Sequence, residues 1–76
     1  MVANQALLTV RGMDNGDSVR RVAESLLGVE GVDDVQVDAQ LHVARVRLNE
    51  LEPADETDLT HAVEEAGFQV ERVQMP

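Results

Sequence analysis

Residues 5–28 decide the fold: Gln5-Ala6-Leu7-Leu8-Thr9-Val10-Arg11, then Gly12-Met13-Asp14-Asn15-Gly16, then Asp17-Ser18-Val19-Arg20-Arg21-Val22-Ala23-Glu24-Ser25-Leu26-Leu27-Gly28. In the first piece Leu8 and Val10 alternate with Leu7, Thr9 and Arg11, the period of two that marks a strand. The second piece breaks that period with turn residues. In the third, Val19, Val22, Ala23, Leu26 and Leu27 recur at helical spacing as one apolar stripe, predicting a helix over about Asp17–Leu27. Asp14, Asp17 or Ser18 is expected to cap it, with acids suiting the positive end of the helix dipole. Arg20 and Glu24, four apart, can pair across a turn. Gly28 is expected to end the helix in the left-handed conformation.

The same periods continue outward. Val32–Asp38 reads as a second strand, with Val35 and Val37 on one face. A short turn near Ala39–Gln40 leads to a third, His42–Leu48, in which Ala44, Val46 and Leu48 point one way and Val43, Arg45 and Arg47 the other. Residues 49–54 form a loop, and acids crowd the start of a second helix over about Asp55–Ala66, with the stripe Leu59, Ala62, Val63 and Ala66. Gly67 ends it, Phe68–Val73 is a last strand, and Gln74, Met75 and Pro76 form a frayed tail. The order is strand, helix, strand, strand, helix, strand. Right-handed crossovers put both helices on one sheet face. The expected fold is α+β: a ferredoxin-like βαββαβ sandwich, a four-stranded antiparallel sheet with one bare face.

Composition narrows function. Seventy-six residues make one domain, 1–76 with its core over about 6–73, near the lower limit for a chain held by apolar packing alone. The absence of cysteine removes disulfides, thiolate nucleophiles and sulfur-built metal sites. Fifteen acids against six arginines, with no lysine, give a net charge of −9. That charge opposes nucleic-acid phosphates and anionic lipid, and Phe68 alone offers no stacking platform. No apolar run approaches the roughly 20 residues of a membrane span, and Met1–Gln5 lacks a secretory pattern, so a cytoplasmic protein is expected. The acidic surface fits adaptation to high salt, or alternatively a coding bias toward arginine with acids for solubility.

Leu8-Thr9-Val10-Arg11-Gly12-Met13 resembles the first strand and Gly-Met turn of the heavy-metal-associated domains, the family of small copper chaperones, mercury-binding proteins and the N-terminal modules of metal-pumping ATPases. Val22, Leu26 and Leu27, Gly31-Val32 with Val35 and Val37, Val46-Arg47-Leu48-Asn49, and Ala62-Val63-Glu64-Glu65-Ala66-Gly67-Phe68 extend the resemblance over about residues 6–73. The resemblance implies a Met-x-Cys-x-x-Cys metal loop. Here that loop is Met13-Asp14-Asn15-Gly16-Asp17-Ser18: Asn15 and Ser18 stand at the two cysteine positions, and the length is kept. Soft monovalent copper and mercury need thiolate or thioether donors, which an amide and a hydroxyl do not replace. Met13 is expected to pack beneath the loop.

Oxygen donors on Asp14, Asn15, Asp17 and Ser18 raise a weakly bound hard ion as an alternative, but the spacing is not that of a calcium loop, and capping is the simpler role. His42 and His61 belong to different elements and lack a third ligand, and neither is placed to activate Ser18. No cofactor and no catalysis are expected.

Two surfaces remain. Glu50, Glu52, Asp55, Glu56, Asp58, Glu64 and Glu65 make the second helix and its approach loop negative, which suits solvent or a basic partner. The bare sheet face gathers Leu7, Thr9, Arg11, Val43, Arg45 and Arg47 with Asp34 and Gln36, and Arg45 is expected to pair with Asp34. Arg11, Val43, Arg45 and Arg47 mark it as a contact face for a protein partner or a second copy. The leading expectation is a binding or interaction module that has lost the soft-metal site. The alternatives are a metal chaperone using Met13 with oxygen or histidine donors, and a small-ligand regulatory domain acting as a dimer.

Overall fold

The computed structural model describes residues 4–76; the reading of the first three residues as a non-secretory start lies outside them. The chain runs β1 (Gln5–Arg11), α1 (Gly16–Leu27), β2 (Val32–Asp38), β3 (Val43–Leu48), α2 (Glu56–Glu65) and β4 (Gln69–Gln74). The sheet order is β2-β3-β1-β4, with every neighbouring pair antiparallel. This is the expected ferredoxin-like βαββαβ sandwich.

Alternation builds the core. Ala6, Leu8 and Val10 of β1 and Ala44, Val46 and Leu48 of β3 point inward, and the central pair of strands meets the helices there. Val22 and Leu26 of α1 and Leu59, Ala62 and Val63 of α2 close over them as one cluster, joined by Met13 and Ala54 from loops. Both helices therefore cover one sheet face and leave the other bare. Ser25 Oγ donates to the Ala62 carbonyl at 2.6 Å, tying α1 to α2 across their contact.

Several details differ from the sequence-based expectations. The cap of α1 is Asn15, and the helix begins at Gly16. Gly28 does not turn left-handed: its φ is −79° and ψ −6°, and its N–H still bonds the Glu24 carbonyl. The left-handed residue after α1 is Gly31, at φ +97°. A Cβ at Gly31 would lie 2.5 Å from the Ala54 nitrogen and 2.6 Å from the Glu52 carbonyl oxygen. The Gly31 carbonyl accepts from Asn49 N (2.8 Å) and Ala54 N (3.3 Å), so the start of β2 is pressed against the loop that feeds α2. Only glycine satisfies both the backbone angle and that approach.

α2 closes differently. Gly67, at φ +95°, donates to the Glu64 carbonyl, and Phe68 N donates to the Val63 carbonyl, the paired bonds of a Schellman stop. Phe68 thus belongs to the cap, and β4 begins one residue later. Gln74 is no loose tail but a strand residue opposite Leu7. The β2–β3 turn is built on Asp38, whose Oδ1 accepts from Gln40 N and Leu41 N, and His42 sits at φ +56° just before β3. That turn and an irregularity between Val32 and Asp34 set the register: Asp34 stands opposite Arg47 and Gln36 opposite Arg45, so the expected Asp34–Arg45 pair is displaced by two residues.

Candidate functional site

The loop from Gly12 to Ser18 begins where β1 releases the chain. Asp14 N bonds the Gly12 carbonyl at 2.9 Å, turning the backbone sharply, and Met13 drops into the core with 1% of its surface exposed. Asn15 then takes an extended conformation (φ −149°, ψ 173°). Its side-chain Oδ1 accepts from Ser18 N at 2.9 Å, and Val19 N bonds its carbonyl. This is an N-cap: one of the four orphan amides of the helix is satisfied by a side chain three residues before it.

The other loop residues serve the same helix start. Asp17 lies in the first turn and engages both helix cations, with Arg20 Nη2 at 3.1 Å and Arg21 Nε at 3.4 Å from its carboxylate. Arg20 also reaches Glu24 at 3.6 Å. Asp14 is exposed. The structure thus brings Asn15, Asp17 and Ser18 together at one helix end, with Met13 buried beneath.

The donor set does not fit a soft cation. The amide oxygen at Asn15 and the hydroxyl at Ser18 are hard donors, and the thioether of Met13 is turned inward. Among the described residues no group of three or more His, Cys, Asp or Glu side chains is arranged to hold a metal ion. His61 Nδ1 lies 3.2 Å from Glu65 Oε1 on the exposed side of α2, whereas His42 is in the β2–β3 turn. The two histidines are not brought together.

The bare sheet face forms a second candidate site. Its rows follow the strand register: Asp34, Arg47 and Gln5; then Gln36, Arg45, Leu7 and Gln74; then Asp38, Val43, Thr9 and Arg72. Arg11 closes the face opposite Gln69 and lies 3.5 Å from the Glu71 carboxylate. Leu41, 65% exposed, joins Val43 and Arg45 around a shallow depression of about 350 Å³ at the hairpin end. Arg72 was not expected on this face. The β1–β4 register shifts between Thr9 and Val10, which returns Arg72 to the outer side, and a simple alternation along β4 does not show that.

Comparison with known proteins places this geometry. The family model described as the heavy-metal-associated domain matches residues 7–69. The N-terminal domain of PacS from Synechocystis PCC6803 is 28% identical, with a TM-score of 0.79 over 92% of this chain and 96% of that one. Oxidised MerP from Ralstonia metallidurans CH34 is 27% identical, with a TM-score of 0.78 over 90% and 96%. The N-terminal domain of a potential copper-translocating P-type ATPase from Bacillus subtilis, solved in its Cu(I)-loaded state, is 26% identical, with a TM-score of 0.77 over 95% and 85%. No curated protein sequence matches. No described helix is long and apolar enough to cross a membrane. With its fold, its Gly-Met turn and the matched span agreeing, the chain belongs to the heavy-metal-associated domain family, with Asn15 and Ser18 in place of both metal-site cysteines.

Proposed function

We propose that the chain is a non-catalytic binding and interaction module on the heavy-metal-associated scaffold, and not a carrier of copper or mercury. One observation carries the reading. The residues at the two cysteine positions are bonded to each other, Ser18 N to Asn15 Oδ1 at 2.9 Å, so the loop serves as a helix cap. Met13 is buried and supports the loop from below, which weighs against a chaperone built on it with oxygen ligands.

The module is a single domain, working in the cytoplasm, and its contact surface is the bare sheet face around Arg11, Val43, Arg45 and Arg47. Its acidic exterior suits a salty environment, where carboxylates keep a surface hydrated. The test is a titration with Cu(I), Zn(II) and Ca(II) in turn, followed by amide shifts and, for Cu(I), by competition with a thiol chelator. The expected result is no Cu(I) retained against the chelator and no shift confined to residues 12–18. One-to-one retention of Cu(I) at this loop would overturn the reading.

A further inference from the structure

The chain is acidic, yet its charge is sorted by side. Among the described residues, the bare sheet face holds Arg11, Arg45, Arg47 and Arg72, against Asp34, Asp38 and Glu71. The remaining acids, apart from Asp33 of β2, which accepts from Asn49, sit on the helices and their loops with only Arg20 and Arg21, both engaged by Asp17. Arg11, Arg20 and Arg21 each make an ion pair. Among the described residues Arg45, Arg47 and Arg72 make none, although acids outnumber arginines fifteen to six and Asp34 stands directly across from Arg47. Arg45 and Arg47 are two residues apart on one strand face, about 7 Å along it, so they present a pair of parallel cationic arms.

The complementary surface lies on the same molecule, across the sheet. Between α1 and α2 runs an open groove of about 530 Å³, lined by Glu24, Glu30, Asp58 and Glu65 together with His61. It cannot meet its own sheet face, because the sheet and the core lie between them. It can meet that of another copy.

We propose that the bare sheet face of one copy docks into the acidic α1–α2 groove of a second, head to tail, through Arg45 and Arg47. This rests on reading the chain as an interaction module, and names its partner as a second copy. Such a contact pairs two different surfaces, so each added copy leaves one of each surface free, and assembly continues past two copies into short chains or, where the rotation per step closes, rings. Each copy carries a net charge of −9, and that repulsion between like-charged wholes opposes the contact, so the association is weak.

Salt gives the contact a signature. At very low ionic strength the Debye length reaches about 30 Å, and two molecules of net charge −9 repel as wholes. At physiological ionic strength it falls to about 8 Å, well below the 18 Å shortest extent of the molecule, so each docked face feels mainly its opposite number. At 1 M salt, with a length of about 3 Å, the attraction between the faces is screened too. Association therefore peaks at intermediate salt.

Sedimentation equilibrium at about millimolar chain tests this, a concentration suited to a weak contact between like-charged molecules. The average mass is expected to exceed 8.3 kDa near 0.15 M salt and to fall back toward it at both extremes. Arg45→Glu/Arg47→Glu is expected to be monomeric, as is Glu30→Gln/Glu65→Gln, with circular dichroism showing that both remain folded. Mixed, the two variants are expected to form a one-to-one complex that grows no further, since each retains one intact half of the contact. A monomer at every salt concentration would overturn the proposal while leaving the copper result untouched. So would a species that stops at two copies and ignores the groove substitutions, which would indicate sheet-to-sheet pairing.

Discussion

Asn15 Oδ1 holds the main-chain N–H of Ser18 at 2.9 Å, and these are the two positions at which the family places its paired sulfurs. The bond uses the side chain of one residue and only the backbone of the other. Asn15→Ala is therefore expected to destabilise the fold by about 1 kcal/mol, the usual loss of an N-cap. Ser18→Ala, which leaves the N–H in place, should fall within about 0.5 kcal/mol of the parent. Urea unfolding of the two variants checks the asymmetry, and equal losses would contradict it.

Restoring the sulfurs should restore the chemistry. The loop keeps its length and its buried Met13, so the double variant Asn15→Cys/Ser18→Cys is expected to take up one Cu(I) in competition with a chelator that strips the parent chain. Failure to bind would mean that the backbone has drifted from a ligand-ready path despite its length.

Gly31 and Gly67 share nearly the same backbone angle, +97° and +95°, but differ in surroundings. A Cβ at Gly67 meets nothing within 4 Å, so Gly67→Ala bears only the strain of a left-handed alanine, about 1 kcal/mol. At Gly31 the added carbon meets backbone at 2.5 Å and 2.6 Å, so Gly31→Ala must also separate β2 from the loop before α2. Its loss is expected to exceed that of Gly67→Ala by more than about 1 kcal/mol, because main-chain atoms cannot swing aside. Thermal melts of the two variants decide the order.

Ser25 Oγ reaches the Ala62 carbonyl at 2.6 Å in a half-buried position between the helices. Ser25→Ala leaves that carbonyl with only its helical bond and is expected to cost about 1 kcal/mol. Ser25→Thr, which keeps the hydroxyl, should recover part of that in the same unfolding experiment.

Charge repulsion across the acidic helix side should weaken the fold at low salt. The melting temperature is expected to rise between 10 and 150 mM salt, because the Debye length shrinks from about 30 to about 8 Å over that range. A flat response would show that the carboxylates are already far enough apart to ignore one another.

Most of the fold was legible because apolar period and turn residues agree along the whole chain. Leu8, Val10, Val22, Leu26, Ala44, Val46, Leu59 and Val63 were placed by spacing alone, and all are buried. What escaped was set by distant neighbours. The sharp constraint at Gly31 comes from Ala54 and Glu52, more than twenty residues away, so local pattern points to Gly28 instead. The Asp34–Arg47 register depends on where the Asp38 turn closes and on an irregularity that alternation does not announce. At the loop, the missing sulfurs and a capping role for its oxygen-bearing residues are plain in the sequence, while the choice of cap is not: Asp14, Asp17 and Ser18 compete for it, and the cap is Asn15. Asn is among the strongest N-cap residues, and that preference was the signal available.

The clamp between Asn15 and Ser18 has a further consequence. An amide and a main-chain N–H neither oxidise nor exchange with mercurials, so the turn holds its shape whatever the supply of metal or the poise of the surrounding thiol pool. The one sulfur beneath it, in Met13, is shielded from peroxide by burial. Where a sulfur-bearing relative can be switched by what it ligates, this helix start is permanently set.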